Sequence, residues 1–102
     1  MAAMKRFIVV MTTDAEEELN AIGDFITQDS RTRAAAVVLR LQKAICGLEL
    51  MPARFPPARE AGQVLADLRQ RVEGPYRIIF EIWESEVVVI GIRHAARRPM
   101  DL

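Results

Sequence analysis

GPYRIIFEIWESEVVVIGIRHAAR, Gly74 to Arg97, contains two β-rich runs separated by a short turn from Trp83 to Glu86. In the first run Tyr76, Ile78, Phe80 and Ile82 occupy alternate positions. Successive side chains of a strand point to opposite sides, so these four share one apolar face. Val87 to Arg93 is rich in β-branched residues and reads as the strand that follows. Its exit packs Arg93, His94, Arg97 and Arg98 into six positions, a basic cluster suited to an anionic or acidic partner.

Upstream, Leu68 to Val72 alternates as a strand, and Gly74-Pro75 turns the chain into the next one. From Met51 to Ala66 periodicity is lost, and Pro52, Pro56, Pro57 and Gly62 mark an irregular link. A link of this length is expected to be functional or to pack over the sheet edge. Before it lie two helical patterns. Thr13 to Glu16 has capping-box spacing, and Ala15, Leu19, Ile22 and Ile26 follow at helical intervals, with Phe25 widening the stripe. Asp29-Ser30 breaks this helix after Gln28 and can cap a second, carrying Ala34, Val38, Leu41, Ile45 and Leu48 up to Gly47 and Pro52. So short a connection makes the helices antiparallel neighbours. Lys5 to Met11 is a further strand. The order β-α-α-β-β-β predicts a single α+β domain over residues 1–102, a helical hairpin packed on one face of a mostly antiparallel four-stranded sheet.

At 102 residues and 51% apolar content the chain can bury one modest core, and disorder is not expected. A formal net charge of zero argues against a general nucleic-acid coat protein. Of 14 basic residues 12 are Arg, whose planar donors suit carboxylate and phosphate, although coding bias alone produces the same preference. Cys46 is the single cysteine, which excludes an internal disulfide, and it reads as core packing. No apolar run is long enough to span a membrane, and the start MAAMKR lacks the pattern of a signal peptide, so cytoplasmic residence is expected.

The sheet face opposite Tyr76 and Phe80 is where chemistry is expected. It carries Arg77, Ile79, Glu81 and Trp83, while Arg69 and Arg71 share a side of the preceding strand and Arg93 leaves the last one nearby. Two readings stay open: a concave basic surface, or a solvated face neutralised by Glu73, Glu81, Glu84 and Glu86.

The set of segments in order — strand, capped helix, second helix ending Leu-x-x-x-Pro, Pro-rich link, then LR…GPYRIIF and VVVI…RHAAR — resembles the RelE/ParE superfamily of type II toxin–antitoxin toxins, over essentially the whole chain. The resemblance implies a toxin, in a family associated with plasmid stabilisation, that binds a cognate antitoxin and needs no cofactor or metal. It also implies one of two targets: the ribosome with its mRNA, which RelE-like toxins cut, or DNA gyrase, which ParE-like toxins inhibit. Arg71, or Arg69 after a one-residue slip, falls where the nuclease branch keeps a phosphate-contacting Arg, and Arg97 falls near its second. The nuclease branch's terminal aromatic residue and paired lysines have no counterpart here: no Tyr follows Tyr76, and Met51 to Asp67 holds only Arg54 and Arg59.

Cleaving RNA through its 2′-hydroxyl requires a base, an acid and cations for the developing charge. Arg69, Arg71, Arg77 and Arg97 could supply cations. His94 titrates in the right range but can equally cap the sheet edge. Glu60 reads as a surface charge on the link, and Tyr76 as core. The closer likeness is to the ParE branch, in which Arg69, Arg71, Arg77, Arg93, Arg97 and Arg98 would contact the target or the antitoxin. Ile79, Trp83 and the outer sides of the helical hairpin would then offer apolar surface to the antitoxin. A ribosome-dependent endonuclease using Arg71, Arg97 and His94 is the alternative, and a degenerate, non-toxic binding partner a third.

Overall fold

A computed structural model describes residues 4–102. Its elements follow the expected order: strand β1 (Ile8–Met11), helix α1 (Thr13–Thr27), helix α2 (Arg31–Cys46), then strands β2 (Leu68–Glu73), β3 (Tyr76–Trp83) and β4 (Glu86–His94). The strands form one sheet in the order β1-β4-β3-β2. β1 runs parallel to β4, and the other neighbours are antiparallel. Gly74 makes the β2–β3 turn at φ +58°, a conformation its missing Cβ permits.

Both helices are capped by hydroxyls. Ser30 accepts from the Arg33 N–H at 3.1 Å, as its position predicts. On α1 the cap is Thr12, whose Oγ1 accepts from Ala15 N–H at 3.1 Å. The expected Thr13–Glu16 capping box is therefore corrected by one residue. Thr12 is the last extended residue of the chain leaving β1, and Thr13 already belongs to the helix.

The helices cover one face of the sheet. Ala15 and Leu19 of α1 and Leu41, Ala44 and Ile45 of α2 pack on Ile78, Phe80, Val87, Val89 and Ile92. Cys46, expected in this core, is exposed. At 100° per residue it turns past Ile45 onto the outer flank of α2. Phe25, expected to widen the buried stripe of α1, is likewise 70% exposed.

The other face is not the open basic surface anticipated. Ile79 and Leu68 there are buried with Ala58, against Ala61, Ala66, Ile90 and Met100. The Pro-rich link, wound into short 3₁₀ turns at Pro52–Arg54 and Arg59–Gln63, bridges to β2 through Pro57 and Arg69. The C-terminal tail returns over the same face: Gln63 Nε2 donates to Met100 O, and Leu102 N–H donates to Gln63 Oε1, each at 2.8 Å or less.

A β-bulge decides which residues of β4 face the helices. Phe80 pairs with Val89 but Ile79 pairs with Gly91, leaving Ile90 as the extra residue. Val87 and Val89 therefore share a face with Ile92 and His94, and Gly91 and Arg93 point the other way. The same register separates the arginines. Arg69 and Arg71 pair with Phe80 and Ile78 on the helix side, whereas Arg77 and Arg93 pair with each other on the far side.

Candidate functional site

Arg77 occupies a closed site. Its Nη1 and Nη2 donate to the two carboxylate oxygens of Glu60, both at 3.0 Å, and Nη1 also donates to Gln70 Oε1 at 2.9 Å. Arg77 and Glu60 are both fully buried. Glu60 Oε2 further accepts the Met100 N–H at 2.8 Å. Burial by itself pushes the Glu60 carboxyl up, but the Arg77 hydrogen bonds and the Met100 N–H more than reverse this and hold it at about 2. Two expectations are corrected here. Glu60 is no surface charge, and Arg77 and Ile79, both without exposed area, present nothing for a target or antitoxin to touch.

Arg69 and Arg71 act as braces. Arg69 donates through Nη1 to Ala53 O and Phe55 O, both at 2.9 Å, and through Nε to Asp67 at 3.1 Å. Arg71 donates to Ala44 O at 3.0 Å, one of the last carbonyls of α2, and its guanidinium lies 5.2 Å from the centre of the Phe55 ring. Together they hold the link against the end of α2.

The end of β4 is open. His94 is exposed and set edge-on to Tyr76, with ring centres 5.7 Å apart. Its Nδ1 accepts the Ala96 N–H at 3.1 Å, and its carbonyl accepts the Arg97 N–H at 3.0 Å, so a tight turn carries exposed Arg97 around the imidazole. Because β1 stops at Met11, the second half of β4 lacks a strand on that side. Glu18 of α1 fills the gap, its Oε1 accepting the Ile92 N–H at 3.2 Å. Burial raises the Glu18 carboxyl above its ordinary value, opposed in part by that N–H and by the charges of Arg93 and Arg97.

Two clefts meet here. One of about 430 Å³ is lined by Glu18, Ile22, Ile92, Arg93, His94 and Arg97. The other, about 340 Å³, runs along α2 past Arg33, Val37, Arg40 and Leu41 to the β2–β3 turn. Phe25, Tyr76 and His94 line both, so the two form one groove with an apolar floor and four arginines at its rim. Among the described residues its only carboxylates are Glu18 and Glu73, and Glu73 lies 3.5 Å from Arg40. The groove thus brings together Arg93, His94 and Arg97 of the expected residues, but not Arg71. Arg98, next to Arg97 in the chain, is exposed but does not line the groove, and Trp83 is exposed at the far end of β3. Among the described residues no cluster of three or more His, Cys, Asp or Glu side chains could hold a metal ion.

The family model for the ParE toxin of the type II toxin–antitoxin system, parDE, matches residues 9–99. The chain belongs to that family. The toxin RelE2 of Caulobacter vibrioides is 38% identical over 89 residues, covering 87% of this chain and 96% of the relative. Among solved structures, the chromosomal ParDE toxin–antitoxin system of P. aeruginosa superposes with a TM-score of 0.72 over 88% of this chain and 97% of that one; at 17% identity it shows the fold alone. The RelBE2 toxin–antitoxin complex of Mycobacterium tuberculosis is 26% identical with a TM-score of 0.62, over 95% of this toxin and all of that chain. The α+β architecture is therefore that of the superfamily. Among the described residues no helix is long and apolar enough to cross a membrane.

Sequence reasoning missed Phe25, Arg33, Arg40 and Glu18 as groove residues. Phe25 carried a readable signal: it lies one position off the four-three-four stripe of α1, so its ring falls at the border of the buried face. Glu18 carried none, since its partner Ile92 is 74 residues away.

Proposed function

We propose that this toxin is ParE-like: it inhibits DNA gyrase by contact rather than by cutting RNA, and a cognate antitoxin holds it inactive in the cytoplasm, in a system that stabilises the replicon carrying it. The observation that supports this most is the engagement of the groups a nuclease would need. Arg71 is committed to Ala44 O and the Phe55 ring, and Arg77 to Glu60. His94 already uses Nδ1 as an acceptor for the Ala96 N–H, so in its neutral form the proton sits on Nε2 and neither nitrogen is a free base.

The groove is the antitoxin's natural seat. Its apolar floor, the 70% exposed Phe25 and the 51% exposed Leu39 on the outer side of the hairpin suit an amphipathic segment with acidic residues facing Arg33, Arg40, Arg93, Arg97 and Arg98. Two solved relatives of this fold are toxin–antitoxin systems, which accords with such a partner. Binding there would raise the toxin's apparent stability by mass action.

The 38% identity to a toxin named RelE2, and the joint placement of His94 and Arg97, favour a second reading as a ribosome-dependent endonuclease. Inducible expression separates the two. Gyrase inhibition with a DNA-damage response supports the first. Transcripts severed during translation, abolished by Arg97→Ala, would replace it with the second. Growth without any phenotype would leave a non-toxic binding partner.

A further inference from the structure

One short turn of the Pro-rich link, Arg59–Gln63, sends three side chains to the same piece of chain. The turn is itself pinned to β2. Ala58 N–H donates to Leu68 O at 3.0 Å, and Arg59 N–H donates to Gln70 Oε1 at 3.3 Å. From there Arg59 Nη1 donates to Ala95 O at 3.0 Å, and Glu60 Oε2 accepts the Met100 N–H at 2.8 Å. Gln63 uses both ends of its amide, donating to Met100 O and accepting the Leu102 N–H. The chain leaving β4 is therefore gripped at Ala95 and again from Met100 to Leu102. Pro75 O adds to the first grip by accepting the Ala95 N–H at 2.7 Å.

Between the two grips runs Ala96 to Pro99, the span that brings Arg97 to the groove. The Arg97 side chain is exposed and donates no hydrogen bond to another described residue, so its backbone alone sets where the guanidinium can reach. Pro99 fixes its own φ and biases Arg98 towards an extended conformation. With both ends held, a span this short keeps few conformations. Arg59 and Gln63 are exposed, and truncating exposed side chains costs little stability. Their bonds bear on where the span lies more than on whether the domain folds.

We propose that Arg59 and Gln63 are positioning residues for the groove: they hold the Ala96–Pro99 span so that Arg97 meets an acidic side chain of the partner. The role rests on the reading of the groove as the seat of an acidic amphipathic segment. Neither residue lines the groove, so each acts through Arg97 and without touching the partner. Ordering the span in the free toxin removes a cost that binding would otherwise meet. The irregular link thereby gains a task beyond covering the sheet, and the task is the same whether the toxin's target is gyrase or the ribosome.

The probe is a synthetic amphipathic helix with Leu on one face and Glu along its flanks, bound to the full-length toxin and followed by fluorescence anisotropy. A control peptide has Lys in place of Glu. Arg59→Ala/Gln63→Ala should weaken the Glu peptide about fivefold, as the fraction of toxin with a correctly placed span falls. Hydrogen exchange at the Ala96 and Arg97 amides should speed up, while the far-ultraviolet spectrum stays that of the intact fold. Gln63→Ala alone, which removes no charge, should produce part of the loss. In an Arg97→Ala background the double substitution should change affinity by less than about twofold, because the group being placed is gone. Unchanged exchange at the two amides, or an equal loss with and without Arg97, would overturn the positioning role and leave the groove reading standing. Equal binding of both peptides by the unaltered toxin would overturn the groove reading, and the role with it.

Discussion

Glu60 and Glu18 are both carboxylates placed among arginines, yet one builds the fold and the other leaves a site open. Glu60 accepts two bonds from Arg77 and one from Met100, inside a pocket with no exposed area. Its acceptor sites and those donors are consumed in ordering the link and tail. Glu18 accepts one backbone bond, and Arg93 and Arg97 bear on it only through their charge. Neither Arg93 nor Arg97 donates a side-chain hydrogen bond to another described residue, which leaves both available for the contact proposed at the groove. A cluster of arginines in a sequence is thus not yet a binding site; burial and a carboxylate already bound to the guanidinium decide.

Breaking the closed pair should give the largest effect. Glu60→Ala leaves Arg77 buried without its counter-charge and is expected to cost about 3–5 kcal/mol in chemical denaturation. For a domain whose whole stability is of that order, this means partial unfolding at ambient temperature. Replacing both partners, as in Glu60→Leu/Arg77→Met, should recover most of the loss; failure to recover would show that the Met100 anchor, not the ion pair, carries the energy.

Acid titration sharpens the comparison, because the two carboxyls have opposite signs. Glu60 is held at about 2, below its ordinary 4.5. Its contribution is complete above that ordinary value and is lost as pH falls from there towards 2, up to about 3 kcal/mol. The Glu18 carboxyl is raised, so its contribution is present at low pH and fades as pH rises through its folded value. Melting curves against pH should lose the acid limb in Glu60→Gln, whereas Glu18→Gln should remove the opposing slope.

Substitutions in the open groove should divide function from stability. Arg97→Ala and Phe25→Ala are expected to weaken antitoxin capture about tenfold or more, yet to change unfolding free energy by only about 0.5 kcal/mol. A larger stability loss would mean that the groove is braced like the Glu60 site.

An effect smaller than the tenfold loss of capture is expected where the two regions touch. A Cβ on Gly91 would come 2.7 Å from Met100 Sδ and 3.3 Å from Glu18 Oε1. The methionine side chain can move aside, so Gly91→Ala should cost about 1 kcal/mol. Hydrogen exchange should rise at Met100 and Leu102, with the Ile92 amide little changed.

Local pattern was enough to read the element order, the helical hairpin and the antiparallel meander, since amphipathic spacing is a property of near neighbours. Ser30 announced itself as a cap, and the Gly74 turn was plain. Thr12 was missed because the capping-box rule points to Thr13, with Glu16 three residues on, whereas Thr12 has Ala15 there; only the end of β1 moves the cap back by one. Cys46 and Phe25 sit at the borders of their stripes, where one step of 100° changes the environment.

The functional face was less legible for a sharper reason. Alternation gives two sides to every strand but does not say what lies on either. The bulge at Ile90 reverses the parity of β4 midway, and neither valine nor isoleucine there marks it. Glu60 and Arg77 are 17 residues apart, joined only once the link folds onto the sheet. Short-range periodicity and turn chemistry therefore settled which elements form and in what order. Burial, the bulge and the competition among carboxylates and carbonyls for each guanidinium are long-range events. They alone chose which arginines became scaffold and which remained free to bind.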